Sequence, residues 1–137
     1  PAVFLHPSEA QHGDLGILQE NDIMLVISNS GKTREILELL TLAKRLRPGL
    51  QFIVITGDGQ SELARQSDVC LCTGAPAEVC PLGRTPTTST TMRTVIGDIL
   101  VVSGMQETGF DAAQYALRHH GGYLGQRSRE QSEQNIK

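Results

Sequence analysis

The stretch "NDIMLVISNSGKTREILELL", residues 21–40, decides the fold. Five apolar residues, from Ile23 to Ile27, run without alternation and stop at Ser28-Asn29-Ser30-Gly31. A helical pattern starts straight afterwards, with Ile36, Leu39, Leu40, Ala43 and Leu46 on one face. Arg47-Pro48-Gly49 ends it. A continuous apolar run of this length predicts a strand buried on both faces of a parallel sheet. The polar junction has two readings. Ser, Asn and Gly punctuate any strand-to-helix turn. They also suit an anion site, because a helix N-terminus offers unpaired N–H groups and a favourable dipole, and loop hydroxyls add donors.

Three further apolar runs flank this unit: "AVFLH" (residues 2–6), "FIVIT" (52–56) and "VCLCT" (69–73). A short helix is expected over residues 61–66. Strands alternating with helices at this spacing predict an α/β fold on a doubly wound parallel sheet. A longer helix is expected over residues 89–105. Met92, Val95, Ile96, Ile99 and Leu100 make its apolar face, and Val101 and Val102 widen the arc. A helix apolar over that much of its circumference is read as packing against a partner subunit. A last helix covers residues 111–118. The stretch 128–137 is polar and expected to fray, leaving one domain over residues 1–127.

The bulk properties narrow the function classes. Hydrophobic residues make up 39% of the 137-residue chain and charged ones 20%, which favours a packed core over disorder. The net charge of −3 argues against nucleic acid or an anionic membrane as partner. No apolar run reaches the ~18 residues of a membrane span, and nothing resembles a signal peptide. The three cysteines are read as small apolar thiols in a reducing cytoplasm. Cys70 and Cys72 are expected on opposite faces of a strand, unable to bridge each other.

A second loop bears on chemistry. "AEVCPLGRTPTTSTT" (residues 77–91) sets Thr87, Thr88, Ser89, Thr90 and Thr91 at the start of the long helix. One hydroxyl would serve as an N-cap. Five exceed that need, so a polar or anionic ligand is expected nearby. Ligands of open α/β sheets bind beyond the carboxyl ends of the strands, where both loops fall.

"FLHPSEAQHGDLG", "ISNSGKTREI", "AEVCPLGRTPTTSTT", "GDIL" and "RHHGGYLG" together resemble the sugar isomerase (SIS) domain of the arabinose 5-phosphate isomerases, from residue 1 to about residue 125. The resemblance implies a flavodoxin-like, three-layer αβα fold. It implies an aldose–ketose isomerase that interconverts D-ribulose 5-phosphate and D-arabinose 5-phosphate through an enediol, for synthesis of the sugar acid Kdo in lipopolysaccharide or capsule. No cofactor and no metal are implied, and the partners would be a small-molecule sugar phosphate and further copies of the chain, as a dimer or tetramer. The implied catalytic residues are Glu35, Glu78, His119 and His12. The implied phosphate-binding residues are Ser28, Asn29, Ser30, Gly31, Thr33, Thr87, Thr88, Ser89 and Thr90. The family commonly has His-Pro-Gly-Gly where this chain has His119-His120-Gly121-Gly122, so either imidazole fits the pattern. The family's first strand, with a Gly-x-Gly-Lys-Ser loop, and its paired regulatory CBS domains are expected to lie outside this sequence.

The residue types suit that chemistry. Moving a carbonyl between adjacent carbons means taking a proton from one and returning it to the other, work for a carboxylate or an imidazole. Each residue also has a plain reading. Glu35 can be a first-turn acid complementing the dipole, and His119 a C-terminal cation. Glu78 can be a solvated loop charge and His12 helical surface. Two other functions remain open: a non-catalytic phosphosugar-binding module, and an SIS isomerase acting on another sugar phosphate.

Overall fold

The structure is a computed structural model that describes residues 2–119 and 121–134. His120 lies outside the described residues. The chain divides into two compact units, residues 1–94 and 95–137.

In the first unit, β1 (Ile23–Ile27), β2 (Gln51–Thr56) and β3 (Val69–Cys72) form a parallel sheet in the order β1-β2-β3. Val26 pairs with Val54, and Val54 with Cys70. Four helical segments accompany the sheet: α1 (Pro7–Ala10), a 3₁₀ turn (Asp14–Ile17), α2 (Arg34–Leu46) and α3 (Glu62–Arg65). The apolar stripe of α2 does what its period demands. Leu40 and Ala43 join Phe52 and Val54 of β2, Val26 of β1 and Leu63 of α3 in one core, with Leu18 and Leu50 closing its margin. Leu40, Ala43, Phe52 and Val54 are all 0% exposed. Burying a side chain the size of Leu40 contributes about 1.5–3 kcal/mol. α3 is started by Ser61, whose hydroxyl accepts from Ala64 N–H at 3.2 Å.

Four sequence expectations are corrected. Residues 2–6 form no strand. They run extended into α1, with Val3 and Phe4 exposed and His6 as the N-cap. A strand needs a neighbour to complete its ladder, and β1 pairs with β2 instead. β1 is not buried on both faces: Val26 enters the core, while Ile23, Leu25 and Ile27 stand exposed on the opposite face. It is an edge of the described sheet, and only β2 is sealed along most of its length. Cys70 and Cys72 lie on the same face, because a strand repeats every two residues; both are free thiols. Residues 128–134 are not frayed but belong to a helix, described next.

α4 (Thr88–Glu107) starts in the first unit and continues into the second. Ser89 is its buried residue, and the expected apolar arc stands open, with Val95, Ile99, Val101 and Val102 exposed. In the second unit, Asp111 caps α5 (Ala112–Arg118) by accepting from Gln114 N–H at 2.8 Å. α6 (Gly122–Gln134) packs on α5. It is held past Ser128 by i, i+4 contacts, Gln126 to Glu130 at 3.0 Å and Ser128 to the Leu124 carbonyl at 2.8 Å. No helix among the described residues is long and apolar enough to cross a membrane.

Candidate functional site

The loop at 28–33 joins β1 to α2 at the carboxyl end of the sheet. Ser28 is buried, and its hydroxyl meets that of Thr33 at 3.1 Å. The Ser30 hydroxyl accepts from Lys32 N–H at 3.2 Å. Gly31 takes φ +61°, the left-handed region that glycine adopts without strain. Its carbonyl accepts from Leu63 N–H at 3.2 Å, and the Asn29 carbonyl accepts from Gly57 N–H at 2.9 Å. The Thr56 hydroxyl donates to that same carbonyl at 3.3 Å. The loop is thereby tied to the β2–α3 connection.

This anchoring leaves donors free. Thr33 occupies the N-cap position of α2 but makes no side-chain cap bond. Among the described residues, none offers an acceptor to the N–H groups of Gly31, Thr33, Arg34 or Glu35. These groups and the helix dipole make a ready seat for an oxyanion. Glu35 is exposed in the first turn of α2, with no hydrogen-bond partner among the described residues.

The start of α4 is arranged differently. Glu78 Oε2 accepts from Thr87 N–H and the Thr87 hydroxyl, both at 2.8 Å, and from Ser89 N–H at 3.2 Å. The chain's own carboxylate thus fills the position that an anion would take. The Ser89 hydroxyl beside it, with the hydroxyl and N–H of Thr87, outweighs partial desolvation and lowers the Glu78 carboxyl from 4.5 to about 2. The Ser89 hydroxyl biases the carboxylate without reaching hydrogen-bond geometry, and it and the Thr88 hydroxyl have no partner among the described residues. Much of the hydroxyl run serves the helix itself: Thr90 and Thr91 donate to the Thr87 carbonyl at 2.7 and 3.2 Å. An open cavity of about 460 Å³ remains, lined by Val79, Thr87, Thr88, Thr90 and Thr91.

The expected site residues thus fall into groups. Ser28, Asn29, Ser30, Gly31 and Thr33 form one pinned loop with Glu35 at its exit. Glu78, Thr87 and Ser89 form a second, bonded cluster. His12 is exposed just after α1, its N–H on the Glu9 carbonyl at 2.9 Å. His119 lies in the second unit, exposed at the C-cap of α5 and stacked on Tyr115 with ring centroids 4.3 Å apart. Sequence reasoning missed Thr56, Gly57 and Ser61, which fix the first loop. The signal was present in "TGDGQSELAR", where a serine precedes a short helix.

A parallel sheet with a polar loop and an uncapped helix N-terminus at its carboxyl end defines an α/β protein. The comparisons agree. The SIS domain family model matches residues 1–103, and the chain belongs to that family. It is 48% identical over 127 residues to the arabinose 5-phosphate isomerase KdsD of Shigella flexneri, covering 93% of this chain and 38% of that protein. The chain thus spans well under half the length of such curated relatives. Among solved structures, it is 72% identical to a Bacteroides fragilis protein assigned as a phosphosugar isomerase involved in capsule formation, with TM-score 0.86, covering 90% of this chain and 64% of that one. An E. coli CFT073 protein, solved in complex with arabinose 5-phosphate, is 35% identical with TM-score 0.78, covering 85% and 61%.

Proposed function

We propose that this chain is the isomerase domain of an enzyme that interconverts D-ribulose 5-phosphate and D-arabinose 5-phosphate in the cytoplasm, for Kdo synthesis. The observation that carries the reading is the uncapped N-terminus of α2 with a free carboxylate, Glu35, in its first turn. The phosphate sits on the N–H groups of loop 28–33, with Ser28, Asn29, Ser30, Gly31 and Thr33 around it. In the forward direction a base takes a proton from C1 of the ketose, and the C1–C2 enediol forms as O2 gains a proton. Returning a proton to C2 while O1 loses its own gives the aldose. Glu35, Glu78, His12 and His119 are the acid–base set, and Glu35 is the carboxylate left free in this structure. Thr87, Thr88, Ser89 and Thr90 line the far side of the ligand. A homo-oligomer, dimer or tetramer, covers the apolar arc of α4. A coupled assay on D-ribulose 5-phosphate with the whole protein tests the reading: turnover supports it, and no turnover in protein that binds the sugar phosphate overturns it.

One observation favours a second reading, a non-catalytic phosphosugar-binding module. A carboxyl held at about 2 and spent on capping α4 is a weak proton acceptor. In that case the whole protein binds the sugar phosphate and turns nothing over. Turnover of another sugar phosphate in place of ribulose 5-phosphate would keep the isomerase and change its substrate.

A further inference from the structure

His119 ends α5 as its C-cap, with its side chain exposed. An exposed ring at a helix end ordinarily samples several rotamers, and fixing one of them costs entropy. Acid–base work needs a fixed ring, since a group displaced by about 1 Å can lose about 10²-fold in rate. A histidine is commonly oriented by a hydrogen bond at one ring nitrogen. Here neither nitrogen has a hydrogen-bond partner among the described residues. The contact is with the ring face instead. Tyr115 stacks on the imidazole, with centroids 4.3 Å apart and planes at 18°. The Tyr115 carbonyl also accepts from His119 N–H at 3.0 Å, so one residue fixes both backbone and ring. Tyr115 is itself held. Its N–H donates to the Asp111 carbonyl at 2.9 Å, and its ring meets that of Phe110 edge to face, centroids 6.3 Å apart. The Arg118 guanidinium lies over Phe110, 5.3 Å from its centroid.

We propose that Tyr115 is the positioning residue for His119. Its ring fixes the plane of the imidazole and leaves both nitrogens open at the ring edge to take and return protons. The inference rests on the reading of His119 as one of the acid–base set. An aromatic ring suits the task because stacking engages the π-face and neither nitrogen, whereas a hydrogen-bonding partner would occupy one of them. The ring is what the position requires, and the hydroxyl is not.

The test uses the whole protein as wild type, Tyr115→Phe, Tyr115→Leu, His119→Gln and the double variant Tyr115→Leu with His119→Gln. NMR of selectively labelled histidine reads the ring protons, and turnover of D-ribulose 5-phosphate reads kcat and KM. In wild type one histidine signal, identified by its loss in His119→Gln, is shifted upfield by the phenol ring current. Tyr115→Phe keeps that shift and holds kcat within about twofold. Tyr115→Leu returns the signal to the free-histidine position and lowers kcat about 3–10-fold, the scale of one lost aromatic pair, with KM within about twofold. In the His119→Gln background Tyr115→Leu lowers kcat by less than about twofold further, because the two residues act as a unit. A tyrosine that merely supported the helix would cost the same in either background. A wild-type His119 signal at the free-histidine position overturns the proposal, and that measurement needs no Tyr115 variant to fold. A Tyr115→Leu loss as large without His119 as with it overturns it too. Wild type that binds the sugar phosphate without turnover removes the isomerase and the positioning role together; wild-type turnover with full kcat in Tyr115→Leu removes the positioning role alone.

Discussion

Replacing Gly31 with alanine tests the geometry of the site at its tightest point. A Cβ built on Gly31 would lie 2.1 Å from Ser61 Oγ, 2.5 Å from Ser61 Cβ and 3.1 Å from Thr56 Oγ1. Ser61 cannot yield cheaply, being 2% exposed with its hydroxyl capping α3. Three costs add. A non-glycine residue in the left-handed region costs about 1–2 kcal/mol, displacing the Ser61 cap about 1 kcal/mol, and overpacking a filled site about 1–3 kcal/mol. The sum is about 3–6 kcal/mol, a melting temperature lower by about 10–30 °C for a domain of this size. Gly49 is the control, since a Cβ there meets nothing within 4 Å and its φ is ordinary; Gly49→Ala should melt no lower than wild type and up to about 4 °C higher. Thermal unfolding by circular dichroism on the whole protein reads both, and a phosphate titration of the folded Gly31→Ala fraction should show lost affinity as the loop shifts. A Gly31→Ala protein melting within about 2 °C of wild type and binding phosphate normally would show that the loop is not pinned as described.

Three other perturbations follow from the same groups. Glu78 is depressed from 4.5 to about 2, so its stabilising contribution is complete above pH 4.5 and is lost as pH falls towards 2. Glu78→Gln should therefore flatten the melting profile in that window, and an unchanged acid limb argues against the α4 cap. Glu35→Gln, at an exposed position with no hydrogen-bond partner among the described residues, should leave the melting temperature almost unmoved while lowering kcat about 10²–10⁴-fold; full kcat would hand the chemistry to the binding-module reading. The Thr85 N–H, with those of Arg84 and Leu82, brings the Cys80 thiol from 9.0 down to about 7, against the opposing effect of burial. Burial and neighbouring Cys72 raise Cys70 instead. Peptide mapping after brief iodoacetamide treatment at neutral pH should find Cys80 modified before Cys70; the reverse order contradicts the loop geometry.

The local periods in the sequence determined most of the elements. The run ending at Ile27 placed β1, the five-residue apolar stripe placed α2, and Ser61 and Asp111 marked two helix starts, because caps and periodicity are short-range devices. The anion-ready character of loop 28–33 was also legible, since small polar residues at a strand-to-helix junction carry it whatever the rest of the chain does. Other features depended on partners distant in sequence. The hydroxyl run at 87–91 read as ligand chemistry, yet Glu78 reaches α4 across nine residues of loop and occupies its N-terminus. Residues 2–6 and β1 have similar compositions, and only pairing with β2 made one of them a strand. Whether Gly31 was a convenience or a necessity could not be read from its neighbours. Ser61 and Thr56 settle that by closing against it in space, where hydrogen-bond geometry and excluded volume, rather than propensity, set the conformation.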